Sequence, residues 1–311
     1  MNSMPNLDPQ AKAYLEGFNQ LPELHKMEAQ AVRDLFALAP PVEVELAPLA
    51  KVEDRLIPVK DVEIKVRIYT PEGEGPFPLF VYYHGGGWVI GDLETADASC
   101  RMIANKTGRV VVSVDYRLAP EYKFPVPLND SYAALKWVSE NAASINGSDS
   151  NIAIGGDSAG GNLSAAVALM SRDQNGPAIA AQVLIYPVTS LSYDTGSYQE
   201  FQKGFGLDRD LMIWFGDYYI NSSEDTRNKY VAPLVADDLS NLPPAFVITA
   251  ECDVLRDEGV AYAKRLKEAG VKVETSSETG LVHGYFTNMA VFPDRIKGSI
   301  SNITQFLSGI E

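Results

Sequence analysis

Apolar residues along this chain recur with three different rhythms, and the order in which the rhythms appear predicts its architecture. Asp8 and Pro9 read as an N-cap and a first helical residue, and Ala11, Tyr14, Leu15 and Phe18 then fall at i, i+3, i+4 and i+7, the stripe of an amphipathic helix. Leu24, Met27, Ala31, Leu35 and Leu38 continue a three-four spacing and predict a second helix, stopped by Pro40-Pro41. From Val42 the period becomes two. Val62, Ile64, Val66 and Ile68 alternate with Glu63, Lys65, Arg67 and Tyr69, which predicts a strand with one polar face at an antiparallel edge. Past Pro76 and Pro78 the runs at 79–83, 110–114, 152–154, 183–185 and 245–248 are apolar but for Ser113, as strands buried on both faces of a parallel sheet are.

Between these runs lie helical stretches near 96–107, 130–145, 158–172 and 257–269, the strand-helix alternation of an open α/β sheet. One more strand is expected at 271–276, and Ile296, Ile300, Ile303, Leu307 and Ile310 predict a final helix over one face of the sheet. A single interval breaks the alternation. From 188 to about 240 no strand-like run occurs, aromatic residues crowd between Tyr193 and Tyr219, and Leu211, Trp214, Phe215 and Tyr218 predict a helix with a bulky apolar face. The expected organisation is therefore an N-terminal helical part at 1–45, a core at 46–187, an insertion at 188–240 and the rest of the core at 241–311.

Composition narrows what such a fold would meet. The chain has 311 residues, 46% of them hydrophobic, so it can bury a large core. Its net charge of −15 repels nucleic acid and anionic membrane surfaces, which leaves neutral, cationic or apolar partners. Cys100 and Cys252 are too few and too far apart for a disulfide framework, and neither sits in a metal-ligand spacing. No secretory leader pattern and no run of eighteen apolar residues is seen, so a soluble, cytoplasmic protein is expected.

Candidate chemistry centres on Gly156-Asp157-Ser158-Ala159-Gly160, a G-x-S-x-G pattern where an apolar run gives way to a helix. Such a turn exposes a serine hydroxyl beside the unpaired amides of a helix N-terminus. A serine hydroxyl is a weak nucleophile, so a general base must stand within hydrogen-bond reach. Of the three histidines, His25, His84 and His283, only His283 follows the serine, as the order Ser, acid, His requires on this kind of sheet. The acid should lie after the run 245–248, where Glu251, Asp253, Asp257 and Glu258 all qualify by position. Asp257 and Glu258 also read as ordinary acidic residues of a helix first turn, whereas Asp253 does not, and Glu251 is its main competitor. Donors for a tetrahedral oxyanion would be the Ala159 amide and the glycine loop His84-Gly85-Gly86-Gly87-Trp88.

These stretches, together with Asp115-Tyr116-Arg117-Leu118-Ala119-Pro120-Glu121, Asp253-Val254-Leu255-Arg256-Asp257-Glu258-Gly259 and His283-Gly284, resemble the bacterial hormone-sensitive-lipase-type (family IV) carboxylesterases from about Val59 to the end of the chain. The resemblance implies an α/β-hydrolase fold: a mostly parallel eight-stranded sheet flanked by helices, with a cap made of the N-terminal helices and the insertion. It implies Ser158, Asp253 and His283 as the triad and Gly86, Gly87 and Ala159 as the oxyanion donors, with Gly85 shaping the loop. It assigns structural roles to 115–121 and to Asp257 and Glu258. Where that family usually has proline after the acid this chain has Val254, which predicts a slightly looser acid loop. The implied reaction is hydrolysis of small apolar esters of short to medium acyl chain through an acyl-enzyme, with no metal or organic cofactor, in a protein for which a homodimer is plausible. Two other readings are an amidase with the same triad and a small-molecule receptor, although the plant gibberellin receptors of this fold lack the histidine.

Overall fold

Two prolines and a change of rhythm mark where the sheet turns from half-exposed to buried, and the strand pairing follows that change. The computed structural model describes residues 6–38 and 44–310. The strands are β1 (Lys51–Val59), β2 (Val62–Thr70), β3 (Phe77–Tyr83), β4 (Val110–Val114), β5 (Gly147–Asp157), β6 (Ala181–Ile185), β7 (Ala245–Cys252) and β8 (Val273–Val282). They form one sheet in the order β1-β2-β4-β3-β5-β6-β7-β8, antiparallel at β1-β2 and β2-β4 and parallel thereafter. This is the α/β-hydrolase fold. The largely apolar strands are its buried centre, with every residue of β4 and of β6 buried, including the polar Ser113 and Gln182.

The helices are α1 (Pro9–Phe18), α2 (Ala29–Ala37), α3 (Asp97–Thr107), α4 (Val126–Asn141), α5 (Ala159–Asp173), α6 (Gly196–Glu200), α7 (Arg209–Tyr219), α8 (Arg256–Glu268) and α9 (Pro293–Ser308). Because each parallel crossover is right-handed, the direction in which the chain moves along the sheet decides which face its helix covers. α3 packs with α9 and α4 packs with α5, one pair for each face, and Ile296, Ile300, Ile303 and Leu307 bury the apolar stripe of α9. From β3 the chain steps outward to β4, then crosses back over β3 to β5. The strand order therefore reverses between β3 and β5, and the crevice beyond the carboxyl ends of these two strands is where such a sheet binds its ligands.

Several expectations change on contact with the structure. The strand predicted as an edge, β2, is second from the edge, because β1 pairs along its whole length. The second N-terminal helix is broken: a 3₁₀ turn at Leu24–Lys26 is followed by extended Met27 and Glu28 before α2 begins. That break resets the helical phase, so Ala29 and Val32 are buried while Ala31 is exposed and Leu38 is 81% exposed. The stop at Pro40-Pro41 and the onset of period two at Val42 lie outside the described residues. α4 starts at Val126, four residues before Asp130, with proline tolerated in its first turn, and 142–145 is a 3₁₀ turn. Among the described residues no helix is long and apolar enough to cross a membrane.

Candidate active site

β5 ends at Asp157 and α5 begins at Ala159, which leaves Ser158 alone in the turn with φ 56° and ψ −118°. A non-glycine residue stays in that region only when its surroundings over-determine it. Ser158 N donates to Ile185 O at 2.9 Å and Ser158 O accepts from Asn162 N at 3.0 Å, so β6 and the first turn of α5 fix both sides of the residue. The turn also presses on β3. A Cβ at Gly156 would sit 2.2 Å from Tyr83 O and one at Gly160 would sit 1.9 Å from the same atom, so only glycine fits at either flank.

His283 leaves the end of β8 and meets Ser158, its Nε2 lying 2.8 Å from Ser158 Oγ. Its Nδ1 lies 2.7 Å from Oδ2 of Asp253, which follows β7 and is 1% exposed. The other carboxylate oxygen, Oδ1, accepts from Leu255 N at 2.9 Å, so the carboxylate is aimed before it meets the ring. With Nδ1–H donated to the carboxylate, Nε2 is free to accept the serine proton. The Tyr186 ring packs at 4.6 Å from the imidazole. Val254, in the place of the usual proline, is buried, and its backbone carbonyl accepts from Ser197 Oγ of α6 at 2.6 Å, which ties the acid loop to the insertion.

The remaining acidic candidates face elsewhere. Glu251 Oε2 accepts from Gly280 N at 2.6 Å, and Asp257 Oδ2 accepts from Ser197 N at 2.7 Å. Glu258 departs from the reading of a simple first-turn acid. It is fully buried, and its Oε1 accepts from Thr189 N at 2.6 Å and Ser190 N at 3.1 Å. His84 is buried against Tyr116, with ring centroids 4.3 Å apart, and burial pushes its pKa down to about 4, so it stays a neutral packing group.

The glycine loop leaves β3 beside the elbow. Gly86, Gly87 and Trp88 take φ of 107°, 57° and 61° in succession. Among the described residues the amides of Gly86, Gly87 and Ala159 donate to no protein acceptor, which leaves them for a bound group. Asp157 is a site residue that the motif alone does not reveal, since it stands at a variable position of G-x-S-x-G. Its Oδ1 accepts from Gly85 N at 2.9 Å and from Tyr82 Oη at 2.7 Å, which ties the glycine loop to the elbow. Burial raises the pKa of this carboxyl.

Ser158, His283, Gly86 and Gly87 open into one cavity of about 280 Å³. Its walls include Tyr14 and Phe18 of α1, Leu24, and Leu211, Met212 and Phe215 of α7. Both regions outside the α/β core thus line the same space over the carboxyl edge of the sheet. Among the described residues no cluster of three or more His, Cys, Asp or Glu side chains is placed to hold a metal ion.

Comparison with known proteins places this geometry among relatives. Residues 80–287 match the model of a family described by its alpha/beta hydrolase fold. The chain is 41% identical over 295 residues to the carboxylesterase NlhH of Mycobacterium tuberculosis, covering 93% of this chain and 92% of that one. It is 39% identical over 286 residues to an arylesterase of Saccharolobus solfataricus, covering 90% and 92%. Among solved structures, a hyperthermophilic esterase from Pyrobaculum calidifontis superposes with a TM-score of 0.90 at 40% identity, over 98% of this chain and 99% of that one.

Proposed function

The chain belongs to the hormone-sensitive-lipase-type alpha/beta hydrolases and is a carboxylic-ester hydrolase, and from that premise we propose the residues that carry the reaction. Ser158 is the nucleophile, His283 the general base and acid, and Asp253 the carboxylate that orients His283. The observation that carries this reading is the unbroken chain of contacts from Ser158 Oγ through His283 to Asp253, at 2.8 and 2.7 Å.

Ser158 Oγ attacks the ester carbonyl carbon as its proton passes to His283 Nε2, and the imidazolium is held by the Asp253 carboxylate. The carbonyl oxygen becomes an oxyanion received by the amides of Gly86, Gly87 and Ala159, the last at the N-terminus of α5. Collapse expels the alcohol, which takes the proton from Nε2, and leaves Ser158 acylated. Water then attacks the acyl carbon with His283 as base, and the acid leaves as the serine proton returns.

Two segments outside the core, the described residues 6–38 of the N-terminal part and the insertion 188–240, form a cap, since both supply walls to the cavity over Ser158. A cavity of about 280 Å³ stands at the small end of ligand pockets and admits a short or medium acyl chain. Each buried methylene adds about 0.8 kcal/mol of binding until the walls are reached, after which further carbons are strained or left in water. The expected optimum is about four to eight carbons for pockets of this size. Measuring kcat/KM on straight-chain esters from acetate to palmitate tests it, and a maximum on the longest, insoluble esters would overturn it.

A receptor has no need of an aligned serine, histidine and carboxylate, so stoichiometric labelling of Ser158 by a fluorophosphonate, lost in Ser158→Ala, separates enzyme from receptor. Comparing an ester with its matched amide tests the amidase reading.

A further inference from the structure

Gly87 and Trp88 carry adjacent left-handed backbone conformations, and Trp88 does so as a bulky non-glycine residue. Such a conformation needs something to hold it, and α7 supplies it. The buried Trp88 indole stacks on Tyr219 at the end of α7, with ring centroids 4.2 Å apart and planes 4° from parallel. One turn earlier on the same helix face, Phe215 fills the space beside Gly87, where an added Cβ would lie 2.2 Å from its ring. Among the described residues Trp88 Nε1 and Tyr219 Oη have no hydrogen-bond partner, so the grip is ring against ring.

A second grip comes from the N-terminal side. Arg33 of α2 donates through Nε to Val89 O at 2.8 Å and through Nη2 to Ala119 O at 2.7 Å, and Ala119 N donates to Trp88 O at 2.8 Å. Stretches far away in sequence therefore hold the loop at 87–89 from both sides. Tyr219 is buried but does not line the cavity, so it has no direct way to contact substrate.

We infer that Tyr219 is a positioning residue for ester hydrolysis: its stack on Trp88 keeps the Gly86 and Gly87 amides turned toward the oxyanion. The docking of α7 and the assembly of the oxyanion hole are then one event. A molecule with α7 displaced can still hold Ser158 against His283, yet it lacks the donors that stabilise the tetrahedral state. This rests on the reading of Gly86 and Gly87 as oxyanion donors given above.

The test compares Tyr219→Phe with Tyr219→Leu, with rates expressed per site labelled by a fluorophosphonate. Phenylalanine keeps the ring and loses only a hydroxyl with no partner among the described residues, so it should keep the wild-type kcat. Leucine removes the stack and should lower kcat about tenfold to a hundredfold, the size expected from a small misplacement of catalytic donors, with KM within about twofold. It should weaken a trifluoromethyl ketone inhibitor by the same factor, because that adduct needs the hole and a ground-state ester does not. If Tyr219→Leu keeps its kcat per labelled site and loses only thermal stability, or if Phe and Leu lose equally, the inference is overturned. Should Tyr219→Leu fail to fold, Trp88→Phe shrinks the stack from the loop side; a kcat between those of Tyr219→Phe and the hundredfold loss supports the inference, and an unchanged kcat overturns it. Labelling keeps the two readings apart: wild-type protein that fails to label at Ser158 defeats the proposed mechanism, whereas intact labelling with an indifferent Tyr219 defeats only this step.

Discussion

Ser158 and Trp88 are both non-glycine residues at positive φ, 56° and 61°, on neighbouring turns at the carboxyl edge of the sheet, but they are held in opposite ways. Each such conformation costs of the order of 1–3 kcal/mol, so each needs support. The elbow is held by main chain: β5 runs into it, α5 runs out of it, and two glycines within two residues let the backbones of β3 and β6 close around it. The loop at 87–89 is held instead by side chains, those of Tyr219 and Arg33. Main-chain support is written into the glycine spacing of the motif itself, whereas side-chain support depends on residues that the motif does not contain.

The largest effects should come from the elbow and its partners. Gly160→Ala places a methyl 1.9 Å from the backbone oxygen of Tyr83, which cannot swing aside, so the variant should yield no folded, active enzyme. Ser158→Ala and His283→Ala should fold normally and lose about 10⁶ in kcat, as in another hydrolase whose triad was dismantled. Asp253→Asn should lose about 10⁴ through the wrong imidazole tautomer. Glu251→Gln should lose less than about tenfold, since it weakens one hydrogen bond to Gly280. The reverse order of the last two would transfer the orienting role to Glu251.

A smaller effect sharpens the comparison from the loop side. An added methyl at Gly87 meets the Phe215 ring, a side chain that can move, and the left-handed backbone there adds roughly 1–2 kcal/mol of strain. Gly87→Ala should therefore stay folded while kcat falls by about tenfold to a hundredfold. Adding Phe215→Ala to it should recover part of the loss, measured on an acetate ester too small to need the Phe215 wall. If Gly160→Ala proves as mild as Gly87→Ala, the distinction between main-chain and side-chain support fails.

The same distinction explains what the chain disclosed before its structure was known. The central strands and the elbow were legible because apolar runs and glycine spacing are local signals, and Ser158 and His283 could be paired by order alone. β1 leaves no such signal, because only Ile57 among its residues is buried and its sequence reads as polar surface. The phase of α2 is hidden, because the break at Met27 and Glu28 does not show in a spacing that continues across it. Residue order left Glu251 and Asp253 both open, and the loop geometry that turns one toward His283 and the other toward Gly280 is tertiary. Neither the Trp88–Tyr219 stack nor the Asp157 tether leaves a periodic trace.

The smallest expected effect on catalysis concerns Glu258, which looked like an ordinary first-turn acid and is instead a buried anchor between α8 and the start of the insertion. Its Oε1 takes the amides of Thr189 and Ser190, and Thr189 Oγ1 donates back to Glu258 O at 3.0 Å. Burial pushes its carboxyl from the ordinary 4.5 up to about 8, against the two amides that pull it down. A raised folded-state pKa means that between these values the folded protein keeps a proton the unfolded chain has released. The associated stability is fully present below about 4.5, falls as pH rises by up to about 1.4 kcal/mol per pH unit, and is gone above about 8. Glu258→Gln keeps an acceptor for the amides but cannot ionise, so it should lack this slope while leaving kcat nearly unchanged. Urea unfolding of both proteins at pH 5, 6, 7 and 8 checks it: the variant should gain on the wild type at every step upward. A difference that stays flat from pH 5 to 8 would mean that Glu258 is ionised throughout, with the amides of Thr189 and Ser190 outweighing its burial.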